Sequence, residues 1–268
     1  MKIVRAIALA VLVIAVATSL AAPWIAPAPY DFQDRDATDV APSHAHPLGT
    51  DDLGRDRFAR LLYGTRISLF LAPIAAAGAV LLAALIGGMA GYLGGWYERA
   101  TLAGIDVFLS LPWLFLLITV RAALPLNTAP ETSVFVTFAL MGLLGWAGSA
   151  RVVCAQVKSM MTSDFVLLAR ATGSPNLRLL LKQLMPNLRP VLTAQFLIAV
   201  PAFIVTEANL GALGLGVSEP LPSLGGMLRE LQSYVAFHPA AWRLVPLALL
   251  VLVVTSFQLL LTHSEVRR

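Results

Sequence analysis

The stretch ISLFLAPIAAAGAVLLAALIGGMA, from Ile67 to Ala90, holds 24 residues and no charged side chain. At about 1.5 Å of rise per residue, a helix of that length reaches roughly 36 Å, enough to cross the ~30 Å hydrocarbon core of a bilayer. Lipid offers backbone groups no hydrogen-bond partner, so such a segment must be helical. Five further apolar runs come near the same length: Ile7–Ile25, Val107–Leu126, Val134–Ala150, Val191–Leu210 and Leu244–Leu261. The reading is an all-α polytopic membrane protein with six transmembrane helices.

Composition agrees. Of 268 residues, 58% are hydrophobic and 13% charged, against about 25% charged in soluble domains. Mean hydropathy is +0.78. These values exclude a disordered chain and argue against a soluble globule. The net charge of +4 fits positive residues flanking spans better than a nucleic-acid surface. Cys154 stands alone, and the four His are scattered. No disulfide framework, metal site or cofactor is therefore expected in this chain. Lys2 and Arg5 before the first run, with Ala21 and Ala22 after it, also resemble a signal peptide. The run is longer than a usual signal core, which favours an uncleaved first helix.

Arg and Lys placement orients the spans. With the N-terminus inside, the cytoplasmic parts are 1–6, 91–106, 151–190 and 262–268, and they hold 11 of the 19 basic residues. The 151–190 loop alone carries six basic residues and one acid, Asp164. The outer loop 26–66 has five Arg among seven Asp. Acids are discounted in such counting, so the loop and the two basic termini decide the direction. Both termini are then cytoplasmic. In the second span Gly87, Gly91 and Gly95 recur every four residues, a spacing that lets helix backbones approach closely. Asp106, Arg121 and Glu207 are the ionisable residues in or at the ends of spans two to six, with Asp106 and Arg121 expected at interfaces and Glu207 near the outer end of span five.

The 151–190 loop is too polar to span. Ala155–Thr172 reads as one helix without Gly or Pro. Gly173, Ser174 and Pro175 then supply a helix stop, an N-cap and a first helical residue. The next helix, Pro175–Met185, sets Leu177, Leu180, Leu181 and Leu184 on one face and Arg178 with Lys182 on another, and Pro186 and Pro190 are expected to end it. Such a hairpin suits either an anionic lipid surface or a cytoplasmic partner.

The loop resembles the signature Glu-Ala-Ala-x3-Gly-x9-Ile-x-Leu-Pro of ABC-importer permeases through Ala169, Gly173 and Pro186, with Leu167 and Leu168 at the Glu and first Ala positions. Other stretches resemble the C-type subunits of the dipeptide/oligopeptide/nickel permease family. They are HPLGTDDLGRD (46–56), LYGTRISL (62–69), GYLGG (91–95), SLP (110–112), GWAGSAR (145–151), EANLGALGLG (207–216) and PLPSLG (220–225). The likeness runs in order through residues 40–262. It implies a type I ABC-importer fold, with an N-terminal helix and outer loop (1–66), a permease domain (67–262) and a short tail (263–268). It further implies a second homologous permease, two cytoplasmic ATPase subunits carrying ATP and Mg, an extracytoplasmic solute-binding protein and membrane lipid as partners. Di- or oligopeptides are the implied cargo, with nickel chelates or another small solute as alternatives. The segment around Gly173, comprising Asp164, Leu167, Leu168, Ala169, Arg170, Gly173, Ser174, Pro175 and Pro186, would engage one ATPase. A Glu at position 167 is missing: either Leu167 and Leu168 dock by apolar packing instead, or the system is substrate-specialised or partly degenerate.

No Gly-x4-Gly-Lys-Ser/Thr phosphate loop occurs, so ATP hydrolysis is expected on other chains. An intramembrane hydrolase would need a span His beside Ser110 or Ser256, and none is present. A stand-alone carrier would show internal repeats and buried ionisable rows. Residues 211–243, with a short helix near Gly226–Val235, read either as a re-entrant cap or as an outer gate and binding-protein contact involving Glu207, Gly214, Gly216, Pro222 and Gly225. Asp51, Asp52, Arg55, Asp56 and Arg57 are expected to form exposed ion pairs that fix loop shape, each contributing about 0–1 kcal/mol.

Overall fold

The computed structural model describes residues 2–123, 129–234 and 241–265. Twelve α-helices occur among them: α1 (Lys2–Leu20), α2 (Ala22–Ile25), α3 (Arg57–Leu93), α4 (Gly95–Ser110), α5 (Trp113–Ala122), α6 (Pro130–Leu144), α7 (Ala147–Met161), α8 (Asp164–Ala171), α9 (Asn176–Arg178), α10 (Met185–Ala212), α11 (Leu224–Tyr234) and α12 (Val245–Glu265). A π-helical turn, Leu179–Leu184, joins α9 to α10, and a 3-10 turn, Ala241–Leu244, precedes α12. The described residues contain no strand, only a single bridge between Thr50 and Asp56.

Five helical stretches are long and apolar enough to cross a membrane, and a sixth is the pair α4 and α5, bent by 70°. Only 22% of the most apolar window of α1, and the same share of α12, is buried. Their outward faces carry Ile3, Ile7, Val13, Ile14, Val251 and Leu252. Apolar surface left open on this scale belongs against lipid or another subunit.

Several expected boundaries move. The division at residue 66 falls inside α3, which runs unbroken from Arg57 to Leu93. The third run is not one straight helix. Proline disfavours a helical conformation in the residue before it. Leu111, before Pro112, accordingly adopts φ −82° and ψ 127°, and the chain bends there. Leu126, the expected end of that run, lies outside the described residues. Ala155–Thr172 is likewise interrupted at Thr162-Ser163: Ser163 is extended and its carbonyl accepts the amides of Val166 and Leu167, starting α8. Pro186 and Pro190 do not end a helix, because both lie inside α10. The π turn immediately before Pro186 changes the bonding register from i→i+4, so a missing proline donor is tolerated at the join. Val235 lies outside the described residues, and α11 begins two residues before the expected Gly226.

The chain forms two compact units. One comprises Met1–Pro73, Ile118–Ala139 and Val200–Arg268, and the other Ile74–Leu117 and Leu140–Ala199. In the first, α1 packs along α12 and α11 also lies on α12. In the second, α4 packs on α7, and Ala83, Ile105, Ala147 and Ala150 form a buried cluster. Lys158 Nζ donates to Glu98 Oε1 at 2.7 Å, and Arg151 pairs with Asp106.

Glycine decides how closely α3 meets α7. A Cβ on Gly87 would lie 2.2 Å from the Ala150 carbonyl oxygen, and one on Gly91 would lie 2.5 Å from that of Cys154. Gly87 and Gly91 thus face two residues with the same four-residue spacing. Gly95 does not take part in this packing: a Cβ there would meet nothing within 4 Å. With Gly94 at φ +65° and Gly95 at φ +57°, these two residues turn the chain from α3 into α4. Gly91→Val is expected to destabilise the second unit by about 1–3 kcal/mol through overpacking. A thermal melt in detergent reads this as a lowered midpoint, while Gly104→Ala, whose Cβ meets nothing within 4 Å, serves as the neutral control.

Candidate functional site

The segment around Gly173 is a compact helical hairpin within the second unit. Val166 and Ala169, three residues apart on α8, are buried with Met160, Leu179 and Leu184, and Tyr92 and Met161 pack on that cluster. The side chains of Leu177, Leu180 and Leu181, expected on the same apolar face, lie outside what is described. α8 ends in a double-bonded cap. The Gly173 amide donates to the Arg170 carbonyl and the Ser174 amide to the Ala169 carbonyl, each at 3.0 Å. This geometry needs a left-handed residue at the stop, and Gly173 has φ +73°. Pro175 is extended and α9 starts at Asn176. Asp164 occupies the first turn of α8 and Arg170 its last turn, each favourable to the helix dipole. On the outward side Phe165, Leu167 and Leu168 are exposed, Leu168 at 67%. An eight-residue helix thus shows apolar side chains on both faces, one packed and one open.

The first unit contains a network of buried charge. The Asp51 carboxylate accepts the amides of Leu53 and Arg55 at 3.0 and 2.8 Å and the Arg55 guanidinium at 2.6 Å. Arg55 also reaches Glu219, and Arg60 donates to Glu219 at 3.0 Å. Arg57 lies 3.4 Å from Glu230. Asp56 caps α3 through the Ala59 amide at 2.7 Å and holds His46 at 2.9 Å. The expectation of exposed pairs is overturned for four of these residues: Asp51, Arg55, Asp56 and Arg57 are each at most 4% exposed, and Arg60 is 1% exposed. Asp52 alone remains exposed. Truncating one partner of a buried pair costs about 3–5 kcal/mol, far above the surface value.

The segment bearing Glu219 is fastened elsewhere too. Arg121, on α5, donates to the carbonyls of Leu215 and Gly216 at 3.1 and 2.8 Å, and to the hydroxyl of Ser133. Glycine again permits close approach: a Cβ on Gly211 would fall 2.4 Å from the Cα of Gly225, and one on Gly216 would fall 2.5 Å from that of Gly211. Glu207, fully buried, accepts a hydrogen bond from Ser68 at 3.1 Å. Pro222 is buried beside Tyr63 and Phe70. Gly214, at φ +78°, lies under the Arg229 guanidinium. A cavity of about 520 Å³ opens among Asp52, Arg55, Gly214, Glu219, Arg229 and Glu230.

Residues 83–267 match the family described as binding-protein-dependent transport system inner membrane component. The chain belongs to this family. It is a permease subunit of a binding-protein-dependent ABC importer, and ATP hydrolysis lies in separate subunits of such systems. The permease is 32% identical over 238 residues to the oligopeptide transport system permease protein OppC of Bacillus subtilis, covering 89% of this chain and 75% of that protein. It is 34% identical over 223 residues to the dipeptide transport system permease protein DppC of the same organism, covering 83% and 67%. It is 32% identical over 235 residues to the glutathione transport system permease protein GsiD of Pectobacterium atrosepticum, covering 87% and 76%.

The family match begins inside α3, so Asp51, Arg55, Arg57 and Arg60 precede it while Glu219 and Glu230 lie within it. Of the expected site residues, the permease brings Val166-flanked Leu167, Leu168 and Ala169 together with Gly173 in one hairpin, and Glu207, Gly216 and Gly225 together with Gly211 in another cluster. Arg60, Glu219 and Glu230 were missed by sequence reasoning. Arg60 precedes Glu219 by 159 residues, and the only signal was an unusual density of charge before an apolar helix.

Burial pushes the Glu230 carboxyl up to about 7, with Arg57 and Arg60 opposing and Asp51 adding to the rise. The folded chain therefore holds this proton more tightly than the unfolded chain, whose carboxyl titrates near 4.5. The associated stability is present below that value and lost as pH rises through about 7. Wild type is expected to lose roughly 3 kcal/mol between pH 4.5 and 8 relative to Glu230→Gln, since one pKa unit corresponds to about 1.4 kcal/mol. Parallel thermal melts of the two proteins across that range measure the difference.

Proposed function

We propose that this permease imports di- or oligopeptides, with its N- and C-termini in the cytoplasm. It forms half of a translocation path whose other half is a second homologous permease. Two cytoplasmic ATPases, carrying ATP and Mg, drive it, and an extracytoplasmic solute-binding protein delivers the cargo. The observation that carries the coupling assignment is the α8 hairpin. Val166 and Ala169 anchor it inward, while Phe165, Leu167 and Leu168 stand exposed on a segment too polar to span. Open apolar side chains on a rigid helix suit insertion into a partner's cleft. In this reading Asp164, Arg170, Ser174, Pro175 and Pro186 shape the contact, and apolar packing at Leu167 and Leu168 replaces a carboxylate contact.

The peptide assignment draws on the names of the similar permeases, which transport oligopeptides, dipeptides and glutathione. Nickel chelates or another small solute remain the alternative cargo. The cluster of Glu207, Gly214, Gly216, Pro222 and Gly225 is assigned to the outer gate or the binding-protein contact. Gly87 and Gly91 hold the helices that must move together.

Co-purification from gently solubilised membranes should recover a second permease and phosphate-loop ATPases. Recovery of the chain alone would remove the coupling assignment. Gly173→Pro is expected to abolish ATP-driven peptide uptake while leaving membrane insertion intact. Proline cannot adopt φ +73° and removes the amide that bonds Arg170. Leu168→Asp should lower ATPase recovery at least about tenfold without unfolding the chain, because the side chain is exposed.

A further inference from the structure

We propose that the cavity where α1 ends and the apolar part of α3 begins seats one phospholipid, its acyl chain against Tyr63, Ile67 and Phe70 and its phosphate on Arg66. The site does not depend on the nature of the cargo, and it shares no residue with the charge network or the α8 hairpin. The cavity measures about 490 Å³, within the ~300–1,000 Å³ typical of small-molecule sites. Every residue lining it belongs to the first compact unit.

Two spans fix its depth in the bilayer. Leu20, on the wall, is the last residue of α1. Arg66 and Ile67, also on the wall, stand where the uncharged 24-residue run of α3 begins. The polar boundaries of both spans therefore meet at this cavity. Tyr30 and Tyr63 line it with ring centroids 4.9 Å apart, and Trp24, exposed, follows in α2. Tyrosine and tryptophan gather at this level of a membrane. Leu20 and Phe70 are 44% and 41% exposed, so the cavity communicates with the lipid-facing surface rather than with an enclosed core.

Apart from Arg66, the walls are hydrocarbon, a proline and aromatic rings. A cavity of that kind stays dry and takes apolar ligands, and beside lipid the apolar filler at hand is an acyl chain. Arg66 is exposed and makes no hydrogen bond or ion pair among the described residues. Its place at the edge of an uncharged run means that lipid, not bulk water, borders it on one side. An arginine at this level lays its stem along the apolar wall and extends its charged head toward the headgroups. Every phospholipid presents a phosphate there, the anion that a guanidinium fork matches. A helix of a second permease could fill the cavity with apolar side chains, but it would have to bring a carboxylate to the same level. The guanidinium therefore favours lipid over protein.

The test uses the transporter with its co-purifying subunits in dodecyl maltoside, titrated with dioleoyl phosphatidylglycerol, with native mass spectrometry counting the retained lipids. Wild type should hold one lipid that Arg66→Gln holds about tenfold more weakly. Arg66→Lys should recover part of the difference. Ile67→Trp, which keeps the charge but fills the cavity, should also lose that lipid. Arg35→Gln, at an exposed arginine off the lining, should match wild type. Equal retention by wild type and Arg66→Gln overturns the proposal. Displacement of the lipid by millimolar inorganic phosphate also overturns it, because the site would then serve a free anion. A benzophenone amino acid in place of Phe70 identifies the occupant directly. Irradiation in phosphatidylglycerol nanodiscs should attach a lipid mass at that position. A crosslink to the second permease instead would make the cavity a subunit interface, and the proposal would fall.

Discussion

A backbone that stops being helical inside lipid leaves amides and carbonyls without water to satisfy them, and this chain is organised around that constraint. Each described interruption comes with a local partner. At the 70° bend the Phe115 amide turns back to the Pro112 carbonyl at 2.8 Å. Where the chain leaves α10, the carbonyls of Leu215 and Gly216 are met by the Arg121 guanidinium. The join between α6 and α7 is closed by the Gly145 amide on the Met141 carbonyl. The long helices are consequences of the same rule, because continuing a helix is the cheapest way to satisfy a backbone that has no other partner.

The sequence was most legible where one physical cause dominated. Apolar length announced the spans, and Gly173 announced the end of α8, since a left-handed residue at that stop suits Gly. It was least legible where two causes competed. Thr162-Ser163-Asp164 contains a cap signal, yet no Gly or Pro marks the break, so one helix was read where two exist. Pro186 and Pro190 carry a breaker signal, yet α10 runs through both, Pro186 lying in its first turn just after the π turn. Gly95 shares the spacing of Gly87 and Gly91, but its positive φ shows that conformation rather than contact explains it.

The candidate site divides in the same way. The α8 hairpin is local in sequence, so its residues could be named in advance. The ionic network is not. Arg55 and Arg60 find Glu219, and Arg57 finds Glu230, across more than 150 residues. Charges near an apolar helix read as solvated unless their distant partners are known. Only the fold reveals that these are buried, and that Arg121, read as an interface residue, fastens the segment carrying Glu219.

The two units rely on different forces, and this has a consequence for how surroundings reach them. The first unit is tied by guanidinium–carboxylate pairs that end on Glu219, a residue 58% exposed. Dissolved ions therefore have a route to that fastening, and a brackish medium acts on it directly. The second unit is held by glycine-permitted contact between α3 and α7 and by the apolar cluster under α8. Its ion pairs, Lys158–Glu98 and Arg151–Asp106, have exposed partners and contribute little, whereas cooling weakens the apolar association that holds it. One polypeptide thus carries a charged fastening with a solvent-exposed end in one unit and a mainly apolar fastening in the other.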